Sequence, residues 1–513
     1  MKKSWMKALL RKRIFIILLL LLQIGVIIYT LISSSLTSAI ISRVLTLLSI
    51  VVCLYIVSRR DKGAYKLTWV FMILLFPVFG GLFYLMFRIQ SAARRASKKN
   101  ARVSAKTQKL LALSGTACQE ACRIAPDHAP QIGYLQKFAG FPIYAQTATK
   151  YLTPGEKKFE CLLEELKKAE KYIFLEYFII EHGKMWDTIL EILVRKAKAG
   201  VTVRLLYDDI GCFILLPRDY VKRMREVGIE CRVFNRFRPM LTVLQNNRDH
   251  RKICAIDGKV AFTGGINLAD EYINEIVKYG HWKDSGIRLY GDAAMNMSLM
   301  FLRMWRMAGT KQEWNEDFSR FIPPECTFRA HHDGYVIPYS DSPLDNENVG
   351  EHIYLQLINS ARNTLYICTP YLIIDENMLS ALILSAKSGV DVRIITPHVW
   401  DKRLVHATTR SYYGDLVAAG VRGFEYTPGF IHSKLFVSDD EVASVGTVNL
   451  DFRSLYLHFE CGTLLYGSKA VSEAKEDFLA TLEECTEIGE EDCKTSVVMR
   501  FVNSIMRLMA PLL

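Results

Sequence analysis

The strongest constraint on the fold of this chain is an internal repeat. Two stretches that begin at His250 and His432 share the pattern H-x-K-x(4)-D-x(6)-G-x(2)-N, and all five named positions recur after 182 residues. Similarity continues outside the pattern, since residues 197–204 resemble residues 386–393 and residues 289–291 recur as 465–467. A unit of roughly 150 residues, a typical domain size, is therefore duplicated. A duplicated polar set predicts one site built from two similar halves.

Each copy predicts alternating strands and helices. Tyr172–Ile180 is an uninterrupted apolar and aromatic run typical of a buried strand, Met185–Ala199 has a helical pattern that Gly200 ends, and Val201–Tyr207 predicts the next strand. The first of these strands has its counterpart in Leu365–Ile374. Strand, helix and strand in this order indicate βαβ units, so the predicted fold class is α/β with two domains related by a pseudo-twofold axis.

The N-terminal region predicts a transmembrane helical anchor. Residues 14–32 and 39–57 are apolar and long enough to span a bilayer, and the Lys and Arg residues that flank them place the N-terminus inside. A third hydrophobic segment, 67–87, precedes eight further bases, which a third span would place outside. Pro77, Gly80 and Gly81 favour a re-entrant or interfacial hairpin instead, although a plain third span remains an alternative.

The charge distribution argues against a nucleic-acid partner. The formal net charge is +12, but residues 1–109 hold nineteen Lys and Arg residues against the single acid Asp61. The remainder carries 46 bases and 52 acids, a net −6, so the basicity reflects membrane orientation rather than a polyanion-binding groove. The remainder of the chain is expected on the cytoplasmic face of a cell membrane, with a multi-pass anchor.

Changes in composition suggest five segments. They are a membrane anchor at 1–89, a basic linker at 90–139, a first domain at 140–335, a second domain at 336–490 and an amphipathic C-terminal tail at 491–513. The tail is too short and too interrupted to span, so it is expected to lie on the membrane or on the protein body.

The repeated residues suit phosphoryl transfer. Residues two apart on a strand share a face, so His250 and Lys252 are expected to point the same way, as are His432 and Lys434. If the two copies converge, one imidazole can attack phosphorus while the other protonates the leaving oxygen. The lysines, with amide donors from the asparagines of the two motifs, would hold the non-bridging oxygens; those asparagines are Asn267 and Asn449.

Carboxylates should orient the histidines. Asp284 and Glu460 align in the repeat, each five residues before Leu-Tyr-Gly, and both are predicted to accept a hydrogen bond from a histidine Nδ1–H. Asp257 and Asp439 complete the motif and are counted with its catalytic set. They lie past the strand ends, however, so a structural role is expected for both, either in capping the turn or in pairing with a base. No cofactor or metal is expected, because the chemistry needs none and no Cys or His cluster completes a zinc set.

These motifs resemble the phospholipase D superfamily, and their context resembles bacterial cardiolipin synthases. The stretches that carry the resemblance are 247–252, 264–267, 281–284, 369–371 and 446–454, and the Pro/Gly-containing segment at 67–87 is similar to that family's N-terminal region. The resemblance implies phospholipase D-like domains, each with a central mixed sheet. It also implies transfer of a phosphatidyl group between two phosphatidylglycerol molecules, which releases glycerol, through a phosphatidyl-histidine. By analogy His250 is the nucleophile and His432 the acid and base, an assignment that the near symmetry of the site leaves open.

Other functions of the same site remain alternatives. A phospholipase D hydrolase would let water take the covalent intermediate, and a phosphatidylserine synthase would use serine. A non-enzymatic membrane scaffold is a further alternative, but such a protein would not need both His and both Lys residues, which are intact here.

Overall fold

The structure, a computed structural model, describes residues 35–76, 91–111, 116–237, 243–310, 316–322 and 333–512, together with isolated positions among 25–32 and 80–84 and at 313. Contacts between Cα atoms divide the chain into two compact units. One comprises Met1–Ala96, Phe237–Asn246 and Phe501–Leu513, and the other comprises Ser97–Arg236 and Asn247–Arg500.

The first unit contains the apolar N-terminal helices. Helix α1 is Leu36–Val57 and α2 is Gly63–Leu75. Within α1, Ala39–Val57 is the one helix of the described residues that is long and apolar enough to cross a membrane. The predicted span 14–32 lies outside the described residues apart from four isolated positions.

The segment 67–87 is not one straight helix. Helix α2 ends at Leu75, and Phe76 has φ −131° and ψ 74°, outside the helical region that is disfavoured for a residue preceding a proline. The Gly80 backbone lies against Met72 and Ile73, where an added Cβ would be 2.7 Å from the Met72 carbonyl oxygen. The Tyr84 ring packs 5.3 Å from the Trp69 ring, measured between centroids. Gly80 and Tyr84 therefore both lie against α2, and the re-entrant arrangement of this segment stays a prediction.

The region predicted as a basic linker is helical where it is described. Its helices are α3 (Ser91–Leu111), α4 (Thr116–Ile124) and α5 (Ala129–Tyr134).

The first α/β domain is built on a seven-stranded mixed sheet. The strand order is β1-β8-β6-β5-β2-β3-β4, with β2, β3 and β4 parallel and the other pairs antiparallel. Trp186 and Leu193 are among the fully buried side chains of the large apolar cluster in this domain. The elements are β1 (Thr147–Leu152), α6 (Gly155–Lys168), β2 (Tyr172–Tyr177), α7 (Lys184–Lys198), β3 (Thr202–Asp208), α8 (Tyr220–Glu226), β4 (Glu230–Phe234), β5 (Ile253–Ile256), β6 (Val260–Gly264), β7 (His281–Lys283), β8 (Gly286–Gly291) and α9 (Asp292–Ala308).

The second domain repeats this sheet and adds one edge strand. Its order is β19-β13-β12-β10-β15-β16-β18-β9, and β10, β12 and β13 are the parallel strands. The predicted α/β class with two related mixed-sheet domains is therefore confirmed. The elements are β9 (Tyr335–Asp341), α10 (Val349–Ser360), β10 (Thr364–Cys368), β11 (Leu372–Ile373), α11 (Glu376–Lys387), β12 (Asp391–Pro397), α12 (Arg403–Ser411), α13 (Tyr413–Val417), β13 (Arg422–Tyr426), β14 (Gly429–Ile431), β15 (Leu435–Ser438), β16 (Val442–Gly446), β17 (Leu450–Asp451), α14 (Phe452–Tyr456), β18 (Glu460–Tyr466), α15 (Lys469–Leu482), β19 (Cys485–Ile488) and α16 (Val497–Met509).

Two local predictions were wrong in their extent. The apolar run Leu365–Ile374 is not one strand, because it divides into β10 and β11 around Pro370, which has no amide hydrogen for a ladder. The His-x-Lys stretches were predicted on strands, but β5 and β15 begin only after Lys252 and Lys434. Each stretch is extended chain just before its strand.

The C-terminal helix α16 is amphipathic and exposes large apolar side chains, including Val498 and Phe501. Near its end the Leu508 carbonyl accepts a hydrogen bond of 2.7 Å from the Thr68 hydroxyl in α2. This end of the helix therefore packs on the N-terminal helices of the first unit.

The motif aspartates cap the ends of strands far from the histidines. Asp439 has φ 51°, and its carboxylate accepts bonds of 2.7–2.9 Å from the amides of Arg362, Asn363 and Thr364. Asp257 does the same for the amides of residues 170–172, at 2.7–2.8 Å. At about 3.3 Å per residue, seven residues of extended chain place each aspartate on the order of 20 Å from its histidine. The catalytic grouping of Asp257 and Asp439 is therefore not supported by their position.

We expect Asp439→Ala to lower the free energy of unfolding by about 2–3 kcal/mol, because three amides lose their acceptor. The apparent Tm in detergent should fall by about 4–8 °C. Asp440→Ala is the matched control, because Asp440 also has a positive φ, of 62°, but its exposed carboxylate pairs with Lys475 instead of capping a strand. Equal Tm shifts in the two variants would contradict this role of Asp439.

Candidate functional site

Backbone hydrogen bonds join the two His-x-Lys stretches to the opposite domains. The His250 amide donates to the Phe459 carbonyl at 3.0 Å, and the His432 amide donates to the Lys283 carbonyl at 2.7 Å. Strand β14, just before His432, pairs in parallel with β7 of the first domain. Each histidine is thus held by the segment of the other domain that carries the aligned carboxylate.

The side chains follow the same crossed pattern. The Nδ1 atom of His250 lies 3.0 Å from Oε1 of Glu460, and Nδ1 of His432 lies 2.7 Å from Oδ2 of Asp284. Both carboxylates are fully buried and the histidines are less than a tenth exposed. A carboxylate that accepts from Nδ1–H leaves the Nε2 lone pair available, which is the tautomer that a nucleophile or base requires.

Each carboxylate is itself held. Glu460 accepts a second hydrogen bond from the Thr447 hydroxyl through Oε2. Asp284 accepts from the Ser285 amide at 2.7 Å, and it lies against Gly265, the residue that aligns with Thr447 in the repeat. The shorter aspartate therefore packs on a glycine where the longer glutamate meets a hydroxyl.

Two buried lysines supply positive charge. Lys252 and Lys434 are at most 1% exposed, and each ammonium donates to the carbonyl of the histidine two residues before it. Burial lowers the pKa of Lys252 to about 8 and that of Lys434 to about 7. The charge of Lys252 also acts on both histidines, so the two motifs share one electrostatic environment.

The histidines are neutral in this environment. Burial, assisted by Lys252, lowers the pKa of His250 to about 3, against the opposing effect of Glu460. Burial and Lys434 likewise lower the pKa of His432 to about 4. Burial would raise the pKa of Glu460, but its pairing with His250 outweighs this and holds it below the usual range. Neutral imidazoles beside an ionised carboxylate are suited to nucleophilic and proton-transfer chemistry.

The side-chain amides of the two motif asparagines already make some of their possible hydrogen bonds within the protein. Asn267 accepts from the Ile179 amide at 3.0 Å and donates to the Tyr272 hydroxyl at 2.7 Å. Asn449 donates to Asp451 at 3.2 Å, while its Oδ1 is buried without a partner among the described residues. Their predicted role as phosphate ligands stays a prediction, and for Asn267 it requires that an existing hydrogen bond be exchanged.

Sequence reasoning missed the rings that flank the histidines. The Trp282 ring lies 5.4 Å from that of His432, and the His458 ring lies 5.5 Å from that of His250, between centroids. Both are two residues before the aligned carboxylates, so the repeat alignment held the signal that could have found them. The residues of the described chain that could hold a metal ion are His250, His458 and Glu460.

Acid should destabilise the fold through the two histidines. They are neutral in the folded protein but bind protons near pH 6.5 when unfolded, so stability falls as pH falls from about 6.5 towards their folded pKa values. Each contributes up to about 1.4 kcal/mol per pH unit in this range. We expect the slope of Tm against pH between 4.5 and 6.5 to be shallower in His432→Asn than in the wild type.

His182→Asn is the control for loss of an imidazole, since His182 is 48% exposed and pairs with Asp187. The measurement is the pH slope rather than Tm at one pH, which separates titration from a general loss of stability. A His432→Asn slope equal to that of the wild type would contradict a neutral buried His432.

Two family profiles match the chain. One, described as "Cardiolipin synthase, PLD-like domain", matches residues 162–281 and 354–482, which lie in the two α/β domains. The other, described as "Phospholipase_D-nuclease N-terminal", matches residues 44–88.

Relatives cover nearly the whole chain. A Streptococcus mutans protein is 42% identical over 90% of this chain and 99% of its own length, and a Geobacillus cardiolipin synthase is 35% identical over 91% of this chain and 92% of its own. Among solved structures, the phosphatidylserine synthase of Haemophilus influenzae superimposes with a TM-score of 0.55 at 14% identity, covering 74% of this chain and 98% of that one, and so shares the fold. With the duplicated domains and crossed His–carboxylate pairs, these matches show that the chain belongs to the cardiolipin synthase family of phospholipase D-like enzymes.

Proposed function

We propose that this protein is a membrane-bound cardiolipin synthase that transfers a phosphatidyl group from one phosphatidylglycerol to another. The observation that carries this proposal is the pair of buried histidines, each with Nδ1 bonded to a carboxylate of the other domain and each followed by a buried lysine. The choice of acceptor rests on the relatives, several of which are named cardiolipin synthases at 34–36% identity.

The first step forms a covalent intermediate. Nε2 of His250 attacks phosphorus, the bond from phosphorus to the glycerol oxygen breaks, and His432 donates a proton to that oxygen. His432 is neutral in the empty site, but an anionic phosphodiester beside it raises its pKa so that it can carry this proton. Lys252 and Lys434 balance the charge of the phosphoryl oxygens, and a bound anion likewise keeps them protonated.

The second step regenerates the site. A hydroxyl of the second phosphatidylglycerol gives its proton to His432, its oxygen attacks phosphorus, and the bond to His250 breaks. Cardiolipin leaves and His250 is neutral again. His432 then loses its proton to solvent in the empty site and takes one up again when the next phosphodiester binds. The shared site thus needs both histidines in every cycle.

The N-terminal helices suit a substrate that stays in the bilayer. Ala39–Val57 is 19 residues long and is followed by Arg59, Arg60, Lys62 and Lys66. Under the positive-inside rule these charges support a cytoplasmic position for this end of the helix. We propose a multi-pass anchor with the catalytic domains at the cytoplasmic face, where the exposed apolar side of α16 also contacts lipid.

The direct test supplies labelled phosphatidylglycerol in mixed micelles to purified full-length protein. We expect cardiolipin and glycerol in equal amounts. Phosphatidic acid as the sole product would identify a hydrolase, and phosphatidylserine formed on addition of serine would identify the other transferase.

Replacing either histidine should stop turnover. We expect His250→Ala and His432→Ala each to lower kcat by about a thousandfold or more, since the groups act as one unit. His182→Ala is the control. The assignment of the nucleophile is tested by trapping, because a phosphatidyl-histidine adduct should form on His432→Ala but not on His250→Ala. The reverse result would exchange the two roles, and an active single variant would refute the shared site.

Gly265 tests the positioning of the carboxylate. A Cβ at this residue would lie 2.1 Å from Oδ1 of Asp284, so Gly265→Ala must displace the group that holds His432. We expect kcat to fall by about a hundredfold with a smaller change in KM, because displacing a catalytic group by about 1 Å can slow a reaction by about this factor. Gly133→Ala is the matched control, since a Cβ there has no neighbour within 4 Å. A Gly265→Ala enzyme with wild-type kcat would show that Asp284 does not need this position.

A further inference from the structure

We propose that His250, His458 and Glu460 form an inhibitory binding site for a divalent transition-metal ion such as Zn²⁺. The inference concerns regulation of the same site and rests on the proposed function for its effect on turnover, but not for metal binding itself.

The three side chains offer a compact set of ligand atoms. Each contributes one ligand atom, and these atoms all lie within 4.8 Å of one another. Oε1 of Glu460 is 3.0 Å from Nδ1 of His250 and 3.6 Å from Nδ1 of His458. In a tetrahedral zinc site, ligand atoms about 2.0–2.1 Å from the metal are about 3.3 Å apart, so these two distances to Glu460 fall on either side of the required one.

The His458 imidazole makes no hydrogen bond within the described structure. Its side chain is 11% exposed, and neither ring nitrogen has a hydrogen-bond partner there, since 3.6 Å to Glu460 is too long. Buried imidazoles normally have their polar atoms satisfied, so an imidazole of this kind beside a carboxylate and a second imidazole points to a ligand. Imidazole and carboxylate are both ordinary ligands of Zn²⁺.

The other half of the repeat lacks this set. There the residue two before the carboxylate is Trp282, whose ring flanks His432 as His458 flanks His250. Indole has no lone pair for a metal, and its Nε1–H is a donor only. Only the half of the repeat that carries His458 can therefore bind a metal ion in this way. The difference between the halves lies in His458 and not in the scaffold that they share.

Metal coordination would inactivate His250 by changing its tautomer. In the free site Nδ1 carries the proton, which faces Glu460, and Nε2 keeps the lone pair. A metal bound at Nδ1 takes that position, and the proton of the neutral ring moves to Nε2. His250 then has no lone pair with which to attack phosphorus or accept a proton, so the metal blocks either role that the histidine plays. Removal of the ion restores the active tautomer.

The first measurement needs no turnover. Chelator-treated full-length protein in detergent is titrated with Co²⁺, which substitutes for Zn²⁺ and reports its ligands by absorption. The spectrum of His458→Asn is subtracted from that of the wild type, so that Co²⁺ binding to the twelve cysteines, which both proteins carry, cancels. We expect the difference spectrum to show the visible bands of Co²⁺ with nitrogen and oxygen ligands and no intense thiolate charge-transfer band. His182→Asn should titrate like the wild type. Identical titrations of the wild type and His458→Asn would overturn the proposed site.

The second measurement compares conversion of phosphatidylglycerol with and without ZnCl₂ in each protein. We expect Zn²⁺ to lower the wild-type rate about tenfold or more with recovery on EDTA, while the ratio for His458→Asn stays near one. The same ratio in both proteins would overturn the inhibitory role even if the metal binds. If the wild type makes no cardiolipin, the proposed function fails, and the Co²⁺ titration still decides the metal site.

Discussion

The active arrangement depends on hydrogen bonds that cross between the two domains. Glu460 of the second domain bonds to His250 of the first, and Asp284 of the first bonds to His432 of the second. Backbone bonds from the histidine amides to Phe459 and Lys283 fix the same crossing. Neither domain therefore contains a complete pair of histidine and carboxylate, so the hydrogen bonding of both motif histidines requires this contact between the domains.

Duplication has kept the scaffold and altered its details. The sheets correspond strand by strand apart from the added β19, and Asp257 and Asp439 cap equivalent turns with equivalent amide bonds. The differences are concentrated around the carboxylates, where Gly265 corresponds to Thr447 and Trp282 to His458. A site that is nearly symmetric in its catalytic groups is thus asymmetric in the groups that hold them, which is what two chemically different roles for the histidines require.

The fold class was predictable because duplication and alternating strand and helix patterns are local signals. Pairing Asp284 with Glu460 was within reach of the repeat alignment, but which histidine each would meet was not, since periodicity within a domain says nothing about how two domains dock. The strand split at Pro370 was a missed local signal. The Asn267 side-chain amide is already hydrogen-bonded to Tyr272 and Ile179. The motif pattern does not contain these two residues, so it could not predict the contacts. The roles of the site residues stay predictions until turnover is measured.

The hydrogen bond between Glu460 and His250 also determines when the site can be completed during protein synthesis. The nascent chain delivers its N-terminal helices, then the whole first domain, long before residue 460 has left the ribosome. Throughout that time His250 lacks the carboxylate that accepts a hydrogen bond from its Nδ1–H. A fragment released by premature termination before residue 460 lacks the same carboxylate. Both crossed pairs of histidine and carboxylate are therefore complete only after both halves of the chain have been translated.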